Sequence, residues 1–592
     1  MIILGITDGQ TSGAAIVRDG KVVAAINEER LVRLKQARGF PRASIQAVMA
    51  IAGIEPREID GVAIAQVNME FRNEVAGWDG WFEERRDVRD THNLFFNVAS
   101  KLGSVANKLP SSKKLYYKLR KPVYENRKKT IRYILKSEFS IESPVVFIDH
   151  HYAHAVSAYY TSGFENSLIV TMDGGGDGSS SHIYLAKDGK LKNLSKVESY
   201  DSLGNYYAYI TAICGYKAKK HEGKITGLAA HGNPIYYEML HNLITCEQGK
   251  TINKGGVLFD SAIRKIKNLI GNEYKREDLA SSIQKLSEDL CQEYIRYWMK
   301  KTKSTRLALA GGVFANVRIN QEIHELEQVE EIFVHPGMSD EGLAVGSALA
   351  LWAKNMQACG EIPRAELIHD VYLGLDFTDK EIENAVRRSN LDYTHHQNIE
   401  KKIASLLADG YVVARFNGRM EYGPRALGNR SILYQPTDPK VNDWLNKNLV
   451  RTEFMPFAPS TMAEHAEGCF VNTKGGFHTA RFMTTTFNCT KWMRDNCSGV
   501  VHIDGTARPQ LVRKEDNDSY YRIINEFYKL TGLSSVINTS FNMHEEPIVC
   551  TPKDAIRAFQ QGHLDYLAMG NLLLEHPGEL THALQQVDRV SS

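Results

Sequence analysis

The stretch ILGITDGQTSGAAIVRDGKVVAAI, residues 3–26, decides how the N-terminal part of the chain folds. Its three apolar runs are separated by turn sequences that contain Asp8–Gly9 and Asp19–Gly20. Asp-Gly between apolar runs is a strong hairpin signal, because both residue types tolerate the backbone angles of tight turns. The stretch therefore predicts three consecutive strands joined by tight turns.

The same pattern returns further along the chain. The apolar runs LIVTM, at 168–172, and HIYLA, at 182–186, are separated by the turn DGGGDG, and a second Asp-Gly turn follows them. Helical periodicity follows each copy, over 42–52 and over 279–300. The repetition predicts a layered α/β domain made of two similar sheet units, with both glycine-rich turns around one bound ligand.

Composition excludes several classes of protein. A chain of 592 residues is too long for one core and predicts at least two domains. The net charge of +2 gives no overall attraction to nucleic acid, and no apolar run is long enough for a membrane span. The eight cysteines include no C-x-x-C pair, which argues against a disulfide framework and a thiolate zinc site. Because the N-terminus has no secretory signal, the expected location is the cytoplasm.

Residues 113–136 are dense in Lys and Arg and are interleaved with Tyr. Such a stretch is typical of a solvated helical face. The alternative is a surface that attracts an anionic partner such as a nucleotide or a carrier.

A change in sequence composition between residues 356 and 373 marks a domain boundary. The segment GSALALWAKN is predicted to be a buried helix that ends the first domain, and CGEIPRAELIHD has the Gly and Pro of a linker. We therefore predict domains at 1–358 and 371–592. The second contains the strand sequences YVVARF and SSVINTSFN, with a loop rich in glycine and arginine between them.

The histidine-rich segment FIDHHYAHA is the first candidate for chemistry. On a helix, His150 and His154 project from one face and can share a metal ion, and His151 with His154 is a competing pair. Asp173 follows an apolar strand and Asp340 precedes a helical segment, so both carboxylates are placed to face a cleft. Two imidazoles and two carboxylates suit a divalent first-row ion such as Fe, Mn or Zn.

Two glycine-rich turns, DGGGDG and AGGVFAN, can approach phosphate groups closely through their backbone N–H groups. Neither matches a Walker A motif or a Rossmann fingerprint, and each alone is equally typical of a tight turn. Lys224, in HEGKITGLAAHG, is a candidate cation for the same ligand, with a surface lysine as the alternative. The candidate nucleotide-binding residues are Gly174, Gly175, Gly311, Gly312 and Asn316.

The C-terminal part of the chain repeats arginine in loops beside Gly, Pro and Ser. Because the guanidinium fork fits phosphate and carboxylate oxygens, these arginines predict an anionic substrate. Two hydroxyl residues at a strand end can donate hydrogen bonds to the same ligand. The candidate residues are Arg419, Arg425, Arg430, Arg451, Arg508, Thr539 and Ser540.

Taken in order, these motifs resemble the NodU/CmcH family of O-carbamoyltransferases. The resemblance runs from GITDGQTSGAAIVRDG through DHHYAHA, DGGGDG, GKITGLAAHG and AGGVFAN to GRMEYGPRALGNRS, PFAPS, DGTARPQ and NTSFN, and so spans nearly the whole chain. It implies a duplicated actin-like ATPase (ASKHA) domain followed by a YrdC-like α/β domain. It also implies that the second domain makes carbamoyl-adenylate from carbamoyl phosphate and ATP, and that the first transfers the carbamoyl group to a hydroxyl.

The resemblance also assigns roles to residues. The expected metal is iron, with Mn or Zn as alternatives, and ATP is expected with Mg²⁺. The expected acceptor is a small hydroxylated natural product such as a saxitoxin-type alkaloid or an antibiotic, with no nucleic acid and no membrane as partner, and with a homodimer as a possible assembly. The implied metal ligands are His150, His154, Asp173 and Asp340. The implied contacts to carbamoyl phosphate and ATP are Arg425, Arg430, Arg451, Arg508, Thr539 and Ser540.

The sequence departs from the family in two places. Gln10 stands in the first turn where members carry a histidine, and an amide cannot take a proton from the acceptor hydroxyl. Either another group takes the proton, for example Asp8 or a metal-bound oxygen, or the acceptor needs little activation. The candidate catalytic residues are Gln10, Asp8 and Lys224. A lysine that members carry before Arg451 is also missing, and Arg451 is its expected substitute.

Two other functions stay open on the sequence alone. One is a tRNA-modifying enzyme of the threonylcarbamoyl type, since a related N-terminal fold serves that role, although the balanced charge argues against it. The other is an actin-like ATP-binding protein without transfer chemistry, which leaves the arginine-rich loops unexplained.

Overall fold

The computed structural model describes residues 1–82, 110–450 and 457–578, without the side chains of 110–117. The fold is of the mixed α/β type, as the sequence predicts. The chain divides into two compact units, which are residues 1–23 with 36–367, and residues 24–35 with 368–592.

The strands of the described residues are, in chain order, β1 Ile2–Thr7, β2 Gly13–Arg18, β3 Lys21–Asn27, β4 Gly61–Ala65, β5 Val145–Ile148, β6 Ser167–Gly176, β7 Ser179–Lys187, β8 Lys190–Glu198, β9 Ile244–Glu247, β10 Lys250–Asn253, β11 Arg306–Ala310, β12 Glu331–Val334, β13 Tyr393–His395, β14 Val413–Phe416, β15 Arg430–Tyr434, β16 Ala458–Met462, β17 Phe487–Asn488, β18 Thr506–Ala507, β19 Gln510–Val512, β20 Ser535–Ser540, β21 Tyr566–Met569 and β22 Leu572–Glu575.

The α-helices of the same residues are Glu28–Val32, Arg42–Ala52, Pro110–Phe139, His150–Tyr160, Leu203–Ile213, Glu222–Ala229, Tyr237–His241, Phe259–Ile270, Arg276–Thr302, Val317–His324, Leu343–Ala358, Asp379–Arg388, Ile399–Ala408, Lys440–Asn448, Ala466–Cys469, Phe477–Ala480, Lys491–Asn496, Asp518–Thr531 and Pro552–Gln561. Within the part of the chain that the structure describes, no helix is both long enough and apolar enough to cross a membrane.

Two five-stranded sheets of the same topology form the first unit, except for the end of β3, whose residues 24–27 are grouped with the second unit. The strand order is β3-β2-β1-β4-β5 in one sheet and β8-β7-β6-β11-β12 in the other. The central strand, β1 or β6, is antiparallel to the strand that follows it in the chain and parallel to a later strand, β4 or β11. The repetition that the Asp-Gly hairpin pattern predicts is therefore confirmed.

Helix Leu343–Ala358 connects the first sheet to the elements of the functional site. It packs against β1, β2 and β4 and against helix His150–Tyr160. Every residue from Leu343 to Ala353 is buried, in agreement with the predicted buried helix. Such burial on all sides requires the nearly continuous apolar sequence that this segment has.

The second unit is built on one eight-stranded mixed sheet with the order β13-β22-β21-β14-β15-β20-β16-β19. The predicted strand sequences YVVARF and SSVINTSFN form β14 and β20, which flank β15. Helices Ile399–Ala408 and Asp518–Thr531 pack against each other and share a core with these strands.

Residues 24–35 belong to the second unit, whereas the sequence analysis places them in the first domain. Arg33 donates hydrogen bonds of 2.7 Å to the carbonyls of Pro547 and Ile548, and its guanidinium lies 3.6 Å from Asp554. These bonds join residues that are more than 500 positions apart, with a separation of 515 for Ile548. A local sequence pattern cannot predict such a contact.

Candidate metal centre

Helix His150–Tyr160 presents two histidines on one face. Asp149 caps the helix, because its carboxylate accepts a hydrogen bond from the N–H of Tyr152 at 2.9 Å. His150 and His154 lie one turn apart, and both are buried. Their ring centroids are 4.7 Å apart, so the two imidazoles lie together as their spacing predicts.

Two carboxylates complete the group. Asp173 lies in β6, and Asp340 lies in a short helical turn directly before helix Leu343–Ala358. His150 Nε2 is 2.6 Å from Asp173 Oδ2. His154 Nε2 is 3.7 Å from Asp173 Oδ2 and 3.7 Å from Asp340 Oδ1. One ligand atom of each of the four residues lies within 4.8 Å of the others, so the structure brings the four predicted metal ligands together.

The polar atoms of this group fit a bound cation. Among the described residues, neither ring nitrogen of His154 has a hydrogen-bond partner although both are buried, and the same is true of Asp173 Oδ1. A buried polar atom without a partner costs on the order of 1–3 kcal/mol. A metal ion bound to His154 Nε2 and to Asp173 would remove this cost for the atoms that it binds, because it accepts their lone pairs. Two nitrogen and two carboxylate ligands suit Fe, Mn and Zn, whose bonds to such ligands are about 2.0–2.2 Å long.

Uptake of a metal ion would change the protonation of the group. Burial lowers the pKa of His150, but the neighbouring Asp173 carboxylate outweighs burial and raises that pKa to about 9. Burial raises the pKa of the Asp173 carboxyl, but the surrounding histidines hold it well below its usual range. Without a metal ion, His150 is therefore a cation paired with Asp173 at neutral pH. Since a metal ion binds the neutral imidazole, its uptake releases this proton.

A set of hydrogen bonds holds His150 in place. Gln66 Nε2 lies 2.9 Å from His150 Nδ1. The Asp177 carboxylate accepts hydrogen bonds from the N–H groups of His150, Val67 and Asn68, at 2.9, 3.0 and 2.7 Å. Asp177 thereby joins the start of the helix to the segment after β4. The sequence analysis missed both residues: Asp177 was visible as the second carboxylate of DGGGDG, whereas a single glutamine after a strand gives no signal.

His151, the competing candidate, has different surroundings. Its Nδ1 lies 2.9 Å from Thr171 Oγ1, and its Nε2 lies 2.9 Å from the carbonyl oxygen of Ser179. Its Nε2 is also 3.5 Å from Asp173 Oδ1. Both ring nitrogens thus have protein partners, and the pair that faces the two carboxylates is His150 with His154.

Gly176, at the end of β6, lies against the ring of His150. A Cβ atom at this position would lie 2.2 Å from His150 Cγ, a distance that real side chains do not adopt. We expect Gly176→Ala to displace the His150 ring and to weaken metal binding tenfold to a hundredfold, as the loss of a supporting contact does at other metal sites.

Titration of the metal-free protein with Mn²⁺ or Zn²⁺ measures this change. Gly468→Ala is the control, because a Cβ atom there meets nothing within 4 Å. Equal metal affinity of the two variants would contradict the expected displacement of His150.

Asp8, the candidate base, is the partner of a buried cation. Its carboxylate accepts hydrogen bonds from Arg127 Nη2 at 2.6 Å and from Arg127 Nε at 3.0 Å. Both side chains are fully buried. Because both carboxylate oxygens are engaged by the guanidinium, this geometry gives Asp8 a structural role and leaves it poorly placed to take a proton from a substrate.

The other two candidate catalytic residues lie in the first unit at separate positions. Gln10 Nε2 donates a hydrogen bond to the carbonyl of Lys219 at 3.2 Å. The Lys224 ammonium lies 5.8 Å from the ring centroid of Tyr216. Neither side chain belongs to the group of four ligands.

The two glycine-rich turns lie side by side. Gly174 and Gly175 follow Asp173 at the end of β6. Gly312 adjoins the same carboxylate, since a Cβ atom on it would lie 4.0 Å from Asp173 Cβ. Gly311 has a φ of 107°, which favours glycine.

Asn316 is accounted for by the fold. Its Oδ1 accepts hydrogen bonds from the N–H groups of Arg318 and Ile319, at 3.2 and 3.3 Å, and so caps helix Val317–His324. Its Nδ2 donates to Gln284 Oε1 at 2.8 Å. Because both ends of the amide are used in this way, the geometry explains the residue without a ribose or phosphate contact.

Arg430, expected to contact the carbamoyl donor, is instead enclosed by the second unit. Its guanidinium donates hydrogen bonds to the carbonyls of Asn417 and Asn429, each at 2.9 Å. It lies 3.7 Å from the ring centroid of Phe416, and the side chain has no exposed surface. Burial lowers the pKa of Arg430 to about 10, so the group keeps its charge at neutral pH. These contacts indicate that Arg430 stabilises the loop GPRALGNR, in which it lies.

Glu421, which the sequence analysis missed, shapes the same loop. Its buried Oε1 accepts hydrogen bonds from the N–H groups of Leu427 and Asn429, each at 2.8 Å, and of Arg430 at 3.2 Å. The loop GPRALGNR therefore folds around one carboxylate.

The remaining candidates of the second unit are less enclosed. Arg425 and Arg508 are half-buried, as are Thr539 and Ser540 at the end of β20. Arg451 lies outside the described residues.

Relatives of the chain come from bacteria and an archaeon. Nodulation protein NolNO of Sinorhizobium fredii is 32% identical over 584 residues, which cover 95% of this chain and 78% of that protein. Nodulation protein NolO of Bradyrhizobium diazoefficiens is 33% identical over 72% of this chain and 78% of its own length. An uncharacterized protein of Methanocaldococcus jannaschii is 35% identical over 73% of this chain and 74% of its own length.

Among solved structures, a putative N-acetylglucosamine kinase of Porphyromonas gingivalis aligns with a TM-score of 0.26 at 10% identity, over 60% of this chain and 99% of that chain. Two family models match the sequence itself. The model described as "Carbamoyltransferase N-terminus" covers residues 2–349, and the model described as "Carbamoyltransferase C-terminus" covers 404–576. With both models matched in order and with relatives above 30% identity over most of its length, the chain belongs to the carbamoyltransferase family of enzymes.

Proposed function

We propose that the second unit makes carbamoyl-adenylate from carbamoyl phosphate and ATP, and that the first unit transfers the carbamoyl group to a hydroxyl of a small molecule. The observation that carries the proposal is the group of His150, His154, Asp173 and Asp340, with buried ring nitrogens of His154 that have no hydrogen bond among the described residues. The repeated sheet topology fits an actin-like domain. A YrdC-like fold is our proposal for the second unit.

The proposed chemistry balances in two stages. Water first cleaves carbamoyl phosphate to carbamate and phosphate, and a carbamate oxygen then attacks the α-phosphorus of ATP and displaces pyrophosphate. In the second stage the acceptor hydroxyl attacks the carbamoyl carbon, the bond to the adenylate oxygen breaks, and AMP leaves. The hydroxyl proton passes to solvent or to a base, which the Gln10 amide cannot be.

A divalent ion held by the four ligands would supply positive charge where negative charge develops during transfer. Iron is the ion we propose, with Mn and Zn as alternatives that the same ligand set accepts. The chain's own contribution is to fix the ligands: Gln66 lies on His150 Nδ1, and Asp177 holds the start of the histidine helix. The burial of His150, His154 and Asp173 limits the access of water to their ligand atoms.

The function is tested with the full chain, ATP, Mg²⁺ and carbamoyl phosphate. We expect pyrophosphate release that requires both ATP and carbamoyl phosphate. Mass spectrometry then screens alcohols of different classes, including an aminoglycoside, an aminocoumarin sugar and a hydroxymethyl guanidinium alkaloid, for the gain of one carbamoyl group. Absence of both pyrophosphate and carbamoylated product would overturn the proposal.

Arg508→Ala is expected to lower pyrophosphate release tenfold or more, with an unchanged metal content. The physical reason is the loss of a charged hydrogen bond to a phosphate group, which contributes about 1.5–3 kcal/mol. The control is Arg387→Ala, because Arg387 is an exposed arginine of the same unit that pairs with Glu383. A native rate of pyrophosphate release by Arg508→Ala would remove Arg508 from the site.

A further inference from the structure

Lys219 is held in a fixed backbone conformation next to the first turn of the chain. Its φ of 62° lies in the left-handed region, which residues other than glycine rarely adopt. Its N–H donates a hydrogen bond to the Glu222 carboxylate, and its carbonyl accepts one from Gln10 Nε2 at 3.2 Å. Because both of these peptide groups are hydrogen-bonded, the backbone of Lys219 is held in place.

The side chain of Lys219 rests on the glycine turn that follows Asp173. A Cβ atom at Gly174 would lie 3.0 Å from Lys219 Cε and 3.0 Å from Lys219 Nζ. The lysine therefore approaches the backbone beside Asp173 this closely because Gly174 has no side chain. The sequence analysis chose Lys224 as the cation of this region, whereas the lysine that lies against the turn is Lys219.

An aromatic ring orients the ammonium. Lys219 Nζ lies 4.0 Å from the ring centroid of Trp81, within the range of a cation–π contact. The backbone N–H of Trp81 donates a hydrogen bond to the carbonyl of Ala218 at 3.0 Å, so the backbone of Trp81 is joined to the residue before Lys219. A cation–π contact positions the ammonium but leaves its positive charge in place.

We propose that Lys219 binds the phosphate group of the adenylated carbamoyl donor beside the metal centre, an inference that rests on the proposed function. Carbamoyl-adenylate carries its negative charge on one phosphate, whereas a polyhydroxylated acceptor offers no such anion. A lysine ammonium is a compact point charge with three donors, which suits a phosphate. The backbone of Gly174 lets the phosphate approach closely, because no Cβ stands in the way.

The test compares Lys219→Met with Lys219→Arg in the full chain. Methionine keeps the length of the side chain and removes its charge. We expect pyrophosphate release at the native rate, but about tenfold less carbamoylated product per pyrophosphate, since one charged hydrogen bond to the intermediate is lost. We also expect the dissociation constant of AMP, titrated into the metal-loaded protein, to rise about tenfold. Lys219→Arg should restore most of both quantities.

Two further variants separate this role from a structural one. Lys220→Met removes the neighbouring charge and should behave like the native chain. Gly174→Ala keeps the lysine but should displace its side chain and reproduce the loss of product. A native product ratio and native AMP affinity in Lys219→Met would overturn the inference, as would equal losses in Lys220→Met. If the native chain forms neither pyrophosphate nor product, the proposed function is refuted. The AMP titration then still shows whether Lys219 contributes to binding of a nucleotide phosphate.

Discussion

His154→Ala is expected to abolish carbamoyl transfer while pyrophosphate release continues at the native rate. His154 is one of the four candidate metal ligands, and among the described residues its buried ring nitrogens have no hydrogen-bond partner. Loss of a direct ligand should reduce metal affinity by more than the tenfold to hundredfold that loss of a supporting contact costs. The pyrophosphate-forming stage is assigned to the second unit and does not use this ligand.

The measurements are metal content after dialysis, pyrophosphate release and carbamoylated product. His324→Gln is the matched control, because His324 is a buried histidine at the end of helix Val317–His324 and lies outside the group of four. Loss of pyrophosphate release in His154→Ala would show that the two stages are not divided as proposed. Retained metal and transfer would show that His154 is not a ligand.

The sheet pattern could be predicted from the sequence because it depends on local features. Apolar runs and Asp-Gly turns fix the strands β1 to β3 and their repetition in β6 to β8. The bounds of the turn DGGGDG after Met172 were predicted less accurately. Strand β6 continues to Gly176, which pairs with Ser179 after an irregularity in the register. A glycine-rich stretch that pairs across an irregularity in a strand has the same composition as one that forms a turn between strands. The local sequence therefore does not distinguish these two structures.

That the four candidate ligands lie together could be predicted for a similar reason. Histidines four residues apart share a helix face, and a carboxylate next to glycine is easily recognised in a sequence. The residues around the ligands depend instead on contacts between distant segments. Arg127 and Asp8 are separated by 119 positions, and Gln66 and His150 by 84. The sequence therefore leaves Asp8 as a possible base, since no residue near it in the sequence indicates the contact with Arg127.

Arg127→Met is expected to destabilise the first unit by about 3–5 kcal/mol, because removal of one partner leaves a buried charge uncompensated. Arg127 and Asp8 are both fully buried. Arg127 also donates hydrogen bonds to the carbonyls of Ala65 and Gln66, at 3.0 and 2.7 Å. Since Gln66 contacts His150, the same variant should weaken metal binding. Urea unfolding, followed with each transition analysed separately because the chain has two units, measures the loss of stability.

The double variant Asp8→Asn with Arg127→Met decides between a structural and a catalytic Asp8. Replacing both members of a buried ion pair by neutral groups is often close to neutral, so the double variant should be more stable than either single variant. Asp8→Asn alone leaves the Arg127 guanidinium without its carboxylate and should lose stability. If Asp8 were the base for the acceptor hydroxyl, Asp8→Asn would instead lose transfer at native stability, and the double variant would be equally inactive. Recovery of transfer together with stability in the double variant would assign the proton to another acceptor.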